Sequence, residues 1–339
     1  MLHGSDRKAS GRGGIMARSV PHRAPCARML KFFVGRLLAS FGVLFGVASL
    51  TFMLLHLTPG DPVEVMLGET SAQSDRAALR EALGLNQPLP VQYVNYLTDT
   101  FSADLGASLY SNQPVATLIA ERLPYTLSLT VTALVFAVSL ALPLGVIAAL
   151  RRGSSVDAAA SMVAVAGLSI PNIWLGPLLI YVFAFALGWV PVAGAEGARS
   201  LILPTVTLGT SLAAVLMRMT RASLLEVLHA PYIVAARARG LPARWLLLRY
   251  ALRNAALPIL TVIGLQLGAL LGGAVVTEAI FAWPGLGQLL VESIQRRDYP
   301  VVQGVVLFVG VAYVLVNMAV DIGYGWLDPR VRLTRASSA

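Results

Sequence analysis

Six apolar stretches, at roughly residues 32–57, 125–150, 158–187, 201–219, 255–277 and 301–327, divide this chain. Each is long enough, at 1.5 Å per residue, to cross a hydrocarbon core of about 30 Å. Backbone polar groups in lipid must be satisfied within the protein, so the expected fold is an all-α, polytopic membrane protein with six transmembrane helices. Composition agrees: 56% of the 339 residues are hydrophobic and 13% charged, and the mean hydropathy of +0.71 is far too apolar for an ordinary water-soluble domain.

A net charge of +9 raises nucleic acid as a partner, and the placement of the charges excludes it. With the N-terminus in the cytoplasm, the inside segments 1–36, 151–157, 218–254 and 321–339 hold 20 of the 26 Lys and Arg residues. The outside segments 58–124, 188–200 and 278–300 hold 12 of the 17 acids. The basic excess therefore records topology, with both termini cytoplasmic. Cys26 is the single cysteine, so neither an intrachain disulfide nor a cysteine metal cage is expected; no metal and no cofactor is implied.

The organisation expected is a basic, disordered tail over 1–28, a first transmembrane helix over 29–57, an external cap of short helices over 58–124, a five-helix core over 125–330, and a cytoplasmic tail over 331–339. The tail lacks the apolar core of a secretory signal; it is either an extension or lies ahead of a start at Met16 or Met29. In the cap, Ser74 through Leu83 reads as a helix with a capping serine and Gly84 past its end, and 114–124 as another that begins at Pro114. Pro143 in the second span, and Pro171 and Pro177 in the third, predict kinks. Such breaks survive in lipid where neighbours or a water-filled cavity satisfy the freed carbonyls; a purely structural kink is the alternative.

Several chemistries are missing. A phosphate-binding loop ends in Gly-Lys, but the only lysines, Lys8 and Lys31, do not follow glycine, so the chain is not expected to hydrolyse ATP. His56 is the only histidine in a span, which leaves no serine-protease pair. The spans are almost free of charge apart from Arg36, Arg218 and Asp321 near their ends, unlike an ion-coupled carrier. An enzyme is not indicated, and any energy the chain's work needs must come from another subunit.

The longest inside segment, Met217 to Pro258, carries the most informative pattern. Tyr232 through Arg239 predicts a short helix in which Ala235, Ala236 and Ala238 permit close approach by a partner, and Gly240 can end it in a left-handed conformation. The stub, over about 229–242, is either a rigid knob for a partner or a surface helix whose basic residues face anionic lipid. Near the other side of the membrane, Trp283-Pro284-Gly285 is a turn signal followed by an amphipathic run, which suggests a re-entrant hairpin over the outer mouth. Glu278 beside it either meets a cation or peptide amine or serves as an interfacial anchor.

The segment resembles the coupling segment of binding-protein-dependent ABC importer permeases, whose hallmark is Glu-Ala-Ala, three residues, then Gly. Val234, Ala235, Ala236 and Gly240 are the matching positions, with Val234 in place of the Glu. Sixteen residues, 241–256, separate Gly240 from Leu257-Pro258, a spacing similar to that of the peptide branch. TPGDP at 58–62, ALGLNQPLPVQY at 82–93, DLGASL at 104–109 and RLPYTLSL at 122–129 also look like the dipeptide, oligopeptide and nickel branch. So do SIPNIWLG at 169–176, RMTRASLLEVL at 218–228 and the run 277–304.

The resemblance implies a type I ABC importer permease fold in a bacterial inner membrane. It also implies a second, usually non-identical permease subunit, cytoplasmic ATPase subunits, and an extracytoplasmic solute-binding protein. Di- or oligopeptides are the implied cargo, with nickel or another small solute as the alternative. ATPase coupling then falls to Tyr232, Ala235, Ala236, Arg237 and Gly240. Asn172, Trp174 and Gln266 are candidates to line the path, although polar groups in bundles also bond between helices. Glu278, Trp283, Pro284 and Gly285 are candidates for the outer gate.

Overall fold

The computed structural model describes residues 25–57, 63, 72–82 and 85–327. The TPGDP turn, Gly84, the expected C-terminal tail and all but the last four residues of the expected N-terminal tail lie outside them. Of the two units into which the chain divides, Met1–Gly42 contributes described residues only from the first part of one helix, and Val43–Ala339 holds everything discussed below.

In chain order the helices are α1 (Pro25–Leu57), α2 (Gln73–Ala82), α3 (Leu89–Phe101), α4 (Val115–Leu150), α5 (Ser155–Ser169) and α6 (Asn172–Leu179), which continues as a π-helical stretch through Ala186. A 3₁₀ turn then leads into α7 (Ile202–Leu228), followed by α8 (Pro231–Ala238) and α9 (Ala243–Trp245). A π-helical stretch, Leu246–Ala251, joins α9 to α10 (Leu252–Ile280); α11 (Leu286–Gln295) and α12 (Tyr299–Leu327) close the chain. Among the described residues there is no strand, only an isolated bridge between Ala107 and Pro114.

Four helical segments are long and apolar enough to cross a membrane: Val115–Leu150, Ala198–Leu228, Ala243–Leu270 and Tyr299–Val320. They correspond to the second, fourth, fifth and sixth expected spans. The first expected span falls in α1, where the apolar run among described residues is the shorter Leu38–Met53.

Three boundaries differ from expectation. The helix expected at 114–124 is not separate: α4 runs unbroken for 36 residues through Pro124 and Pro143. The fourth and fifth spans extend well into the expected cytoplasmic segment, so only residues 229–242 leave the two long helices. The third span is not one kinked helix but two, α5 and α6 with its extension, bent by 101°. Pro171 is the cause. It disfavours α conformation at the preceding residue, and Ile170 is extended at φ −87°, ψ 113°, which ends α5 at Ser169.

The core forms where small side chains let helices approach. Along α4 the buried residues Leu129, Ala133, Ala137 and Ala141 recur every fourth position and pack with Leu208, Leu212, Ala213, Leu216 and Met217 of α7. A Cβ added at Gly145 would lie 2.7 Å from Thr220 Cβ and 2.9 Å from the Met217 carbonyl. Apolar side chains on the other side of the helix face outward: Leu127, Val131 and Val135 of α4 are exposed. Lipid is as apolar as leucine, so helix pairing here rests on close packing.

Candidate functional site

The expected coupling segment forms a short helix, α8, held by one face and open on the other. Ile233 is fully buried in a cluster with Leu224 of α7 and Leu246, Ala251 and Ala255 of the returning helix. Tyr232, Val234, Ala235, Arg237 and Ala238 are exposed. Ala236 is not on the open face with them: it is half-buried against the same inner cluster. The helical period, which puts 233 and 236 on one side, explains the difference.

The helix ends as its glycine predicts. Gly240 has φ +80°, its N–H donates to the Arg237 carbonyl (3.0 Å), and the Leu241 N–H donates to that of Ala236 (3.4 Å). This pair of bonds is the Schellman arrangement, which satisfies carbonyls the helix leaves open. A Cβ at Gly240 would meet nothing within 4 Å, so the backbone conformation, not space, selects glycine there.

The base of the segment is tied to the start of the bent span. Arg221 of α7 donates from Nε to Asp157 Oδ1 (2.6 Å) and from Nη2 to Oδ2 (2.8 Å), and the Gly153 N–H also donates to Oδ2 (2.9 Å). Ser154 caps α5 by accepting from the Asp157 N–H (3.3 Å). The Ser-x-x-Asp spacing of 154–157 is the capping signature that could have revealed this junction in the sequence; its partner Arg221 could not be found that way.

At the opposite end, the expected hairpin over 278–300 is a turn at 281–285, α11, and a second turn into α12. Glu278 does not face a mouth. It is fully buried, its Oε1 accepts from the Thr126 hydroxyl of α4 (2.7 Å), and its Oε2 accepts from the N–H groups of Gly287 (2.7 Å) and Gln288 (3.2 Å). It thus caps the N-terminus of α11 from another helix, where free N–H groups and the helix dipole favour an acceptor. The gate reading for Glu278 is corrected accordingly: with its carboxylate oxygens taken inside the protein, it cannot meet an amine.

Trp283 is also buried; its indole Nε1 donates to the Tyr125 carbonyl (3.0 Å). Thr126 Oγ1 further accepts from the Leu286 N–H (2.8 Å). Gly285 is required by contact, since a Cβ there would run into the Glu278 carboxylate. A further buried acid that the sequence reading missed, Asp298, accepts from the Ser108 hydroxyl and from the Leu109 N–H (3.1 Å). The hairpin is therefore pinned to α4 by Glu278 and to the turn before α4 by Asp298.

The three residues selected for the path lie on two elements. Asn172 and Trp174 open α6 directly after the Pro171 break, half-buried and exposed respectively, and Gln266 is half-buried in mid α10. Gly176 brings α6 against the C-terminal end of α10, where a Cβ would stand 3.0 Å from Ile280 and 3.4 Å from Phe281.

This architecture has known counterparts. Residues 141–333 match the family described as binding-protein-dependent transport system inner membrane component, and residues 29–130 match its N-terminal companion. The chain belongs to this family. It is an ABC importer permease, embedded in the membrane, whose family works with ATPase and solute-binding partners. The glutathione transport system permease protein GsiC of Escherichia coli strain K12 is 43% identical over 304 residues, 90% of this chain and 99% of that protein. The protein of the same name from Shigella flexneri serotype 5b is 42% identical over the same length. Among solved structures, an inward-facing MetNI methionine ABC transporter aligns with a TM-score of 0.53 at 23% identity, over 63% of the permease and 97% of the compared chain. That likeness is one of fold.

Proposed function

We propose that this permease imports di- or oligopeptides across a bacterial inner membrane as one of two similar transmembrane subunits, with its termini in the cytoplasm. The relatives described above bear the name of a glutathione transport system, and glutathione is a tripeptide; a short peptide of that size is the cargo favoured here. A separate binding protein delivers it, and separate ATPases supply the energy.

The observation that carries the reading is the stub α8. It is rigidly rooted through Ile233, stopped by Gly240, and presents Tyr232, Val234, Ala235 and Arg237 to the outside. Such a knob, seated in a groove of an ATPase, transmits closure of the ATPase pair to α7 and α10, the helices on either side of it. Asn172, Trp174 and Gln266 supply hydrogen-bonding and stacking groups along the path. Trp283, Pro284 and Gly285 form the turn of the outer gate, with Glu278 as its internal brace.

The test is peptide transport and ATPase turnover, stimulated by loaded binding protein, in vesicles holding the complete transporter. Gly240→Val places a β-branched residue at φ +80°, a strain of about 1–2 kcal/mol; Ala235→Glu adds bulk and charge to the open face. Both variants should insert and pair normally, yet lose most of the stimulated turnover and transport. Near-normal transport by both, at equal expression, would mean that residues 232–240 form only a lipid-facing surface helix.

A further inference from the structure

The start of the fifth span carries a feature that lies outside α8. Between Ala243 and Arg253 the chain reads ARWLLLRYALR. One side of this stretch of about three turns is buried: Leu246 and Ala251 pack, with Ala255 just beyond it, into the cluster beneath α8. The other side stays open, with Trp245 48% and Leu248 67% exposed and Tyr250 also outside. The Arg249 guanidinium lies over the Trp245 ring, 5.4 Å from its centroid, and Arg244 and Arg253 are exposed.

Two further facts say what covers this face. It opens the apolar segment Ala243–Leu270, which is long enough to cross the membrane, so it stands where a helix passes from water into lipid. No acid occurs from Ala243 to Thr277, and among the described residues no carboxylate pairs with Arg244, Arg249 or Arg253. Cations with aromatic and aliphatic neighbours at that depth match the layer of lipid headgroups, where indoles settle and arginine stems reach for phosphate.

We propose that Trp245, Arg249 and Arg253 form a binding site for anionic phospholipid, with the two guanidinium groups on the headgroup phosphate and Trp245 and Leu248 against the acyl chain. Guanidinium planes suit phosphate in a way that a point charge does not. A bound anionic lipid supplies the negative partner that the sequence omits and holds the root of α8 at a set depth. The site is independent of which solute is carried.

The complete transporter, purified with its ATPase subunits, is placed in nanodiscs of phosphatidylcholine with rising fractions of phosphatidylglycerol, and retained lipid is measured by mass spectrometry. Wild type should retain phosphatidylglycerol beyond its bulk ratio. R249Q with R253Q should reduce that enrichment by about fivefold for each arginine removed, while the ATPase subunits remain bound; R249K with R253K should keep part of it. Added inorganic phosphate should not displace the lipid, since the apolar contacts belong to the site. No enrichment in wild type, or unchanged enrichment in the glutamine variant, would overturn the proposal. So would loss of ATPase subunits from the glutamine variant at unchanged lipid, because the face would then be a protein contact. If the glutamine variant fails to assemble, the wild-type enrichment and the lysine variant decide.

Discussion

Glu278 shows how much one buried side chain can organise. Its carboxylate is the common acceptor for a threonine on α4 and for the first free N–H groups of α11, so removing it strands three donors at a site closed to water. Each unsatisfied buried group costs about 1–3 kcal/mol. Glu278→Ala should therefore destabilise the outer hairpin by roughly 3 kcal/mol or more, whereas Glu278→Gln, which keeps one oxygen on the helix terminus, should cost less. Thermal unfolding of the purified transporter, with protease cleavage within 281–298 as a local probe, checks both the size and the order. Equal and small effects would show that α11 stands without this cap. The sequence marked Glu278 as notable because it is an acid at the end of a span. It could not say whether that acid faces a mouth or a helix terminus, because Thr126 lies 152 positions away.

At the scale of elements, the same kind of residue does different things according to its neighbours. Proline breaks the third span at Ile170 yet is carried inside α4 and α10, so its presence announces a possible break and its surroundings decide. Glycine shows a similar contrast where α4 meets α7. A Cβ at Gly145 would press on the β-branched Thr220 at 2.7 Å and the Met217 carbonyl at 2.9 Å, while one at Gly209 would meet the edge of the partly exposed Phe136 ring at 2.6 Å and the Ala133 carbonyl less tightly, at 3.0 Å. Gly145→Ala should then cost about 1–3 kcal/mol and Gly209→Ala less, as the ring swings aside. Unfolding midpoints of the two variants in the same detergent decide this; a reversed order would mean that the seam yields at Thr220. On α8, the glycine stop was legible from sequence because φ preference is a local property. The covered side of that helix needed the structure: once Ile233 is seen to be buried, the helical period places Ala236 beside it, but the alanines alone do not say which side is covered.

For the whole molecule, the distribution of charge predicts the orientation in the membrane. In a chain with Cys26 replaced, a cysteine at Ser74 should react with an impermeant reagent added outside, and one at Arg239 only after the membrane is opened. Labelling of position 239 but not 74 from outside would invert the topology. The apolar segments, the charge bias and the ordered motifs are properties of single segments, and they determined by themselves that this is an all-α membrane permease with a short helix, stopped by glycine, near residue 235. Hydropathy and φ preference act over a few residues, so they can be read without the fold. Tertiary structure alone decided that the third span turns through 101° and that Asp157 is held by Arg221. It also decided that Glu278 and Asp298 are internal braces of the 281–298 hairpin. Each of those outcomes depends on which distant group supplies a hydrogen bond inside the protein, and a buried polar group's partner is set by packing rather than by its neighbours in sequence.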